Sequence, residues 1–543
     1  MGTTHDVFNQ SKPLVDYNLF DGDQALREAV QREGGAWAEG ELSAFGALTG
    51  SAEVLDLGRL ANENPPELKA FDRYGHRVNY VEYHPSYHRL MSISMANGLH
   101  SQAWTDGQTG SLVARCAKNY MMTQVESGHG CPITMTFAAV PTLRCTPERA
   151  SIWEPRVTSR QYDERNLPGA EKSACTVGMA MTEKQGGSDV RANTTRAFEQ
   201  ADGSFRLVGH KWFCSAPMSD IFLTLAHDDA GLSCFLVPRW TPDGAPNHMD
   251  LQRLKSKLGN HSNASSEIEY NQAYAERVGA PGRGVRTILE MVTHTRLDCV
   301  VASSALMRQC LSQAINHGAQ RHAFGKRLVE HGLMQNVLAD MAVEVEAATM
   351  LSFRLARAYE EGRADQDQAG FARIATAIGK YWICKRAPAI AYEAMECFGG
   401  NGYVEDHPMA RLYREAPLNS IWEGSGNVIC LDVLRAMQRE PAAYATLQSE
   451  LETTVGADRR YDTLLSRIKE TMSKTDSLQI HARRLVEDLA LALQASLLLR
   501  HGEPGVAEAF MTTRLSSDRR ACFGVLPSTV DVAALVTRTT PNQ

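Results

Sequence analysis

From residue 284 to about 437 the chain is written almost wholly in helical period. Apolar residues recur at three- and four-residue spacing over 284–318, 334–362, 367–398 and a stretch after Asn427. Helices of this length can hide an apolar stripe only against one another, so the segment predicts a bundle. The preceding stretch is built differently. Runs at 176–181, 205–208, 211–214, 221–226, 233–237 and 268–270 are short, apolar or alternating, and parted by turn residues, as β-strands are. Residues 41–175 return to helical spacing, at 53–62, 85–98, 111–126 and 134–143. Glycine-dotted residues 1–40 read as an arm with little structure of its own, ordered only by lying on something. Residues 441–543 predict further helices at 458–472, 478–500 and 505–514. The expected fold is mainly α with a middle antiparallel β-domain. Its segments are an arm 1–40, a helical domain 41–175, a β-domain 176–283, a bundle 284–440 and an additional C-terminal helical domain 441–543.

Composition narrows the function. A chain of 543 residues exceeds one compact core. Its 56 Lys plus Arg against 63 Asp plus Glu, a net charge of −7, give no global attraction to nucleic acid. Twelve cysteines lie scattered with no CxxC pair, and no metal centre is expected. The apolar run 489–499 is interrupted and too short to span a bilayer, and Met1-Gly-Thr-Thr-His-Asp6 has no basic flank or apolar core. A cytoplasmic protein with no membrane association is the expectation.

Chemistry concentrates late in the chain. In Pro417-Leu-Asn-Ser-Ile-Trp-Glu-Gly-Ser-Gly-Asn-Val-Ile-Cys430, Glu423 stands between an indole and a Gly-Ser-Gly turn that leads into a helix. Backbone N–H groups at a helix start suit an anion, and a shielded carboxylate suits a general base. The stretch also reads as an ordinary Ser/Asn cap with a solvated glutamate. In the β-domain, Met181-Thr-Glu-Lys-Gln-Gly-Gly-Ser-Asp189 offers hydroxyls and a glycine pair, and Lys211-Trp-Phe-Cys-Ser215 puts aromatics and a hydroxyl at a strand end. Taken alone, each is more often structural, a glycine turn and a core tryptophan. Arg321-His-Ala-Phe-Gly325 suits a pyrophosphate or a helix C-cap. Gly399-Gly400-Asn-Gly-Tyr403 is another point for close approach, and Ser215 has no evident His–acid relay, which speaks against a hydrolase. The turn-rich stretch Glu126–Met135 is either a backbone contact to a ligand or an interhelix loop.

Taken together, and in this order, these motifs resemble the acyl-CoA dehydrogenase flavoprotein family across residues 85–440. The arm, Cys131-Pro-Ile-Thr-Met135 and the C-terminal helical region are similar to its members tied to the adaptive response to DNA alkylation. The resemblance implies an acyl-CoA dehydrogenase-like fold, one FAD per chain, and a homotetramer built as a dimer of dimers. Met181, Thr182, Gly187 and Ser188 would contact FAD, and Trp212, Phe213 and Ser215 would line its ring system. Ser420, Ile421, Trp422, Gly424, Ser425, Gly426, Asn427 and Cys430 would approach it from the last bundle region. Arg321, Phe324, Gly399 and Gly400 would bind its adenine and pyrophosphate across the dimer. Glu423 matches the catalytic base that takes the α-proton of an acyl-CoA. In branched-chain members the base precedes a helix arginine, but here Thr295 precedes Arg296.

The resemblance also implies double-stranded DNA as a partner, engaged by the C-terminal region. Residues 441–543 carry 12 Lys plus Arg and 12 Asp plus Glu, net zero, so a phosphate-binding face requires segregation of charge. The expected basic set is Arg483, Arg484, Arg514, Arg519 and Arg520. Three classes stay open: a DNA-associated flavoprotein with weak dehydrogenase activity, a metabolic acyl-CoA dehydrogenase, and a scaffold holding FAD structurally.

Overall fold

The computed structural model describes residues 4–474, 477–516 and 521–541. The chain folds into two compact units that cut across its linear segments: one of residues 53–108 and 125–298, the other of 1–52, 109–124 and 299–543.

The first unit holds a seven-stranded sheet flanked by helices such as Pro85–Ala96 and Gly130–Leu143. Its longest pairing joins Phe205–Ser215 antiparallel to Ser265–Val278, which also pairs with Met249–Leu254 and Gly231–Pro238. Ile221–Asp228 pairs antiparallel with Gly231–Pro238 and meets Arg196–Glu199 through a single parallel pair, so the pairing returns on itself. Closure removes the open edges that a flat sheet leaves. The sheet is not wholly antiparallel, because Val177–Ala180 runs parallel to Ile221–Asp228. The expected runs 205–208 and 211–214 are one strand. Gly209 does not break it: a Cβ there would sit 2.5 Å from Thr195 Oγ1, so the glycine admits a close neighbour. A hairpin of Glu67–Phe71 and Arg77–Glu82 was not foreseen; its turn is tied by Asp72 Oδ1, which accepts from Tyr74 N and His76 N.

The second unit is the helical bundle. Its long members include Gly332–Glu361, Gln366–Cys397 and Leu478–His501, each within a few residues of expectation. Leu478–His501 is buried without break from Asp488 to Leu498 and packs on Gly332–Glu361, Gln366–Cys397 and Gly426–Arg439. The C-terminal segment is therefore built into the bundle.

The arm is ordered along the bundle, but it is not structureless. It carries a helix, Gln24–Arg32, capped by Asp23 accepting from Leu26 N and buried through Leu26, Ala29 and Val30. Before that helix, Tyr17 hydroxyl donates to Gln309, Lys12 N donates to Gln320, and Asn9 exchanges two hydrogen bonds with the His322 backbone. At the far end, helix Val532–Thr539 lies beside Gln24–Arg32. Buried Arg308 donates to both Gly22 O (2.9 Å) and Thr539 O (2.8 Å), while Arg538 pairs with Glu28 and Glu346.

Candidate active site

In the bundle, the chain leaves a single helical turn at Leu418–Ser420 and reaches helix Gly426–Arg439 through Glu423 and Gly424, both left-handed at φ 57° and 106°. A glutamate pays for that conformation with backbone strain, which persists only where surroundings enforce it. Lys380, 1% exposed, enforces it by donating through Nζ to Asn419 O (3.1 Å) and Gly424 O (2.8 Å), one on each side of Glu423. Asn419 accepts from the Trp422 indole (2.9 Å) and donates to Ser303 Oγ (3.1 Å). Glu423 and Trp422 are half-buried, Ile421, Ser425 and Asn427 exposed, and Ser420 donates to Pro417 O. Cys430 faces inward, where burial pushes its thiol up to about 11. At buried Gly426 a Cβ would lie 2.8 Å from Lys385 Cε and 3.5 Å from an Arg483 guanidinium nitrogen. The N-terminal turn is thus a glycine cradle between two cations, and it fits an anionic group such as a dinucleotide phosphate. Sequence reading missed Lys380, Lys385 and Asn419, which are polar positions inside helical or turn patterns and carry no local signal.

In the sheet unit the two quoted motifs meet. Trp212 N donates to Thr182 O over 2.7 Å. Behind them, fully buried Lys211 pairs with fully buried Glu183 (2.9 Å) and donates to Leu225 O. Burial drives the Glu183 carboxyl up, but Lys211 and hydrogen bonds from Thr194 and Thr195 outweigh it and hold the pKa well below the usual range. Gly187 closes on Thr182, since a Cβ would sit 2.5 Å from Thr182 Oγ1. Ser188 is exposed, and Met181 O accepts from Asn193. Trp212 is half-buried and Phe213 48% exposed, with Lys255 Nζ 3.4 Å from the centre of the indole and Arg253 and Lys184 further out. Ser215 Oγ lies 3.4 Å from Ser265 Oγ. Open aromatic surface ringed by cations fits a planar ligand that carries negative charge.

The Arg321 corner and the Gly399-Gly400 turn also come together. His317, one turn before Arg321, stacks on Phe398 at 4.3 Å, and burial followed by the charges of Arg321 and His407 lowers its pKa to about 4. Arg321 donates one guanidinium bond to the Asn9 carbonyl, so the arm steadies it. Phe324, left-handed at φ 51°, is 98% exposed, and Tyr403 and Leu333 are each 85% exposed.

The stretch after Val125 is an internal clamp. Glu126 accepts from Gly128 N, His129 N, His129 Nδ1 and Ser262 Oγ at 2.8–2.9 Å, and His129 Nε2 lies 3.0 Å from Ser94 Oγ. The Ser94–His129–Glu126 relay has hydrolase-like distances, but at 0%, 1% and 4% exposure it is sealed, and it acts as structure. Among the described residues no group of His, Cys, Asp or Glu has a metal-holding arrangement, and no helix is long and apolar enough to cross a membrane.

Of the expected DNA-facing set, one described member, Arg514, is withdrawn from the surface. Arg514 is 9% exposed and paired with Asp340 and Glu344 inside the bundle, so it cannot meet a phosphate. Arg483 donates from Nε to Asn427 Oδ1 (2.8 Å), at the turn just described. Arg484 is exposed, and Arg519 and Arg520 lie outside the described residues. Arg460, Arg467, Arg500 and Arg538 are each engaged by carboxylates.

Comparison with known proteins covers nearly the whole chain. Residues 9–164 match the adaptive response protein AidB N-terminal domain, 178–273 the acyl-CoA dehydrogenase middle domain, and 282–438 its C-terminal domain. The chain is 46% identical over 516 residues to the putative acyl-CoA dehydrogenase AidB of Escherichia coli (strain K12), covering 95% of each. It is 32% identical over 484 residues to acyl-CoA dehydrogenase family member 11 of Caenorhabditis elegans, covering 86% of this chain and 78% of that one. Among solved structures, Caenorhabditis elegans ACDH-11 in complex with C11-CoA matches with a TM-score of 0.87 at 29% identity, covering 94% of this chain and 93% of that one. The apo form of Bd2924 matches with a TM-score of 0.84 at 28% identity, covering 92% and 100%.

Proposed function

Since the chain belongs to the acyl-CoA dehydrogenase superfamily, among its AidB-like members, we propose that it binds FAD and oxidises the α,β-bond of an acyl-CoA, with Glu423 as the base. The observation that carries this reading is the enforced turn: Lys380 grips the carbonyls on both sides of a left-handed Glu423. A carboxylate held this way keeps a fixed position while it takes the α-proton, which a mobile side chain does not. Bound flavin supplies the two-electron acceptor for the β-hydrogen. Thr182, Ser188, Trp212, Phe213 and Ser215 are the sheet-unit residues proposed to hold it, and the Ser425–Asn427 turn with Lys385 is proposed to meet its charged part. Phe324 and Tyr403, exposed aromatics beside Arg321 and Gly399-Gly400, are proposed to meet a second copy of the chain and its cofactor in a homotetramer.

The C11-CoA of the Caenorhabditis elegans relative makes a medium-length acyl-CoA the first probe. Protein purified from cells should carry one flavin per chain, and the probe should bleach it under anaerobic conditions. Glu423→Gln should keep the flavin spectrum and lose the bleaching. Colourless protein that takes up no FAD would exclude the reading, and flavoprotein inert to every acyl-CoA would leave a structural flavin. A second reading, association with duplex DNA as part of an adaptive response, is favoured by the AidB match over 9–164 and by exposed Arg459, Lys469 and Arg484. Salt-dependent anisotropy with a labelled duplex tests it.

A further inference from the structure

Arg483 belongs to helix Leu478–His501, in the C-terminal segment that a linear reading assigns to a separate binding role. Its side chain is exposed, yet it is aimed at the catalytic turn. Nε donates to Asn427 Oδ1 over 2.8 Å, across 56 residues of sequence, and a terminal nitrogen borders the space a side chain at Gly426 would need. Asn427 is the second residue of helix Gly426–Arg439, four positions after Glu423. Lys380 fixes the turn on one side of Gly424, and nothing else among the hydrogen bonds described for Asn427 fixes its side chain on the other. Lys385 crowds the same glycine and gives the turn a second cation, but it makes no described bond to Asn427.

We infer that Arg483 is a positioning residue of the active site: through Asn427 it sets the first turn of the helix behind Glu423, so the C-terminal segment completes the catalytic loop. The inference rests on Glu423 being the base only for its kinetic consequence; the geometric claim concerns the loop itself. Losing one charged hydrogen bond at a solvent-facing site should leave global stability nearly unchanged, because exposed substitutions usually do. The local effect should be distinct. A planar fork held by one acceptor is poorly replaced by an ammonium.

The test uses the full chain with Arg483→Ala, Arg483→Lys, Asn427→Ala and the double variant Arg483→Ala/Asn427→Ala. Hydrogen exchange of peptides covering 418–430 is followed in apo- and FAD-loaded protein, beside FAD affinity and the kcat and KM for an acyl-CoA. Arg483→Ala should speed exchange in that stretch alone by about tenfold, the size of one charged hydrogen bond. It should weaken FAD by a similar factor, lower kcat more than it raises KM, and leave the melting temperature in place. Asn427→Ala should reproduce these effects, and the double variant should be no worse than either, since both remove one interaction. Arg483→Lys should restore little. Loop exchange and FAD affinity within about twofold of wild type in Arg483→Ala, or additive effects in the double variant, would overturn the inference. If wild type takes up no FAD, the flavoprotein reading falls while the exchange measurement still decides the role of Arg483.

Discussion

Lys380 Nζ donates to the Gly424 carbonyl over 2.8 Å from a position 1% open to solvent. A buried ammonium with two backbone acceptors is a support that leaves two carbonyls stranded when removed. Lys380→Met should cost about 2–4 kcal/mol, from two unsatisfied acceptors at about 1–3 kcal/mol each less the desolvation penalty of the buried ammonium, which Met does not incur. Denaturant unfolding measures the loss. Any acyl-CoA bleaching should fall further than stability does.

Glu423, the proposed base, is left-handed, and strain at such a position trades stability for placement. Glu423→Gly, which relaxes the left-handed backbone at φ 57°, should raise stability by up to about 1 kcal/mol while abolishing bleaching. A variant that loses both would show that the carboxylate also holds the loop.

Glu126 gives the acid limb of stability. Burial raises its carboxyl pKa, but the His129 side chain and two backbone N–H donors outweigh this and bring it to about 2. A depressed carboxylate contributes stability above its unfolded pKa and loses it as pH falls through the folded value. The contribution should be intact at neutral pH and decline between about pH 4.5 and 2, whereas Glu126→Gln, weaker by about 3 kcal/mol at neutral pH, should show a flatter decline across that window. Thermal melts at stepped pH decide it.

Phe324 stands 98% exposed at the turn of a short hairpin, its ring 6.2 Å from that of His331 and near the Arg321 corner. Phe324→Asp should shift the chain to a smaller assembly in sedimentation and lower its flavin content, without lowering the melting temperature at low concentration. Unchanged sedimentation would remove this hairpin from the interface.

Arg514 and Arg484 separate structure from duplex binding. Arg514→Ala strips a buried partner from Asp340 and Glu344 and should cost about 3–5 kcal/mol. Arg484→Ala should leave folding alone and, if the duplex is held there, reduce the log–log salt slope by about one. Equal slopes for Arg484→Ala and wild type would move the contact elsewhere.

Periodicity made the long helices legible to within a few residues, because a helix advertises its buried stripe locally. The helix Gln24–Arg32 escaped because Gly34 and Gly35, read as signs of an unstructured arm, in fact only end it. Residue type and order pointed to Thr182 and Trp212, but not to the backbone hydrogen bond that joins them, which runs from inside strand Phe205–Ser215 to the turn after Val177–Ala180. Lys380, Arg483 and Arg514 were misread or missed for one reason. Each acts on backbone carbonyls, a side-chain amide or carboxylates 39 to 174 residues away, and such pairings leave no mark on neighbouring sequence. The charge count over 441–543 could not say which arginines were inside.

Arg308 clasps Gly22 and Thr539 at once, and that clasp sets an order for biosynthesis. The sheet unit comes from residues 53–298 with one interruption and can close while the chain is still being made. The bundle cannot. Its first helix, Gln24–Arg32, is synthesised early and meets its neighbour Val532–Thr539 only once the chain has been made through residue 539. Until then the nascent bundle presents apolar faces that later segments cover, and exposed apolar surface of this kind favours aggregation. Premature termination near the end should therefore yield aggregated or degraded protein in cells, rather than a shorter working enzyme.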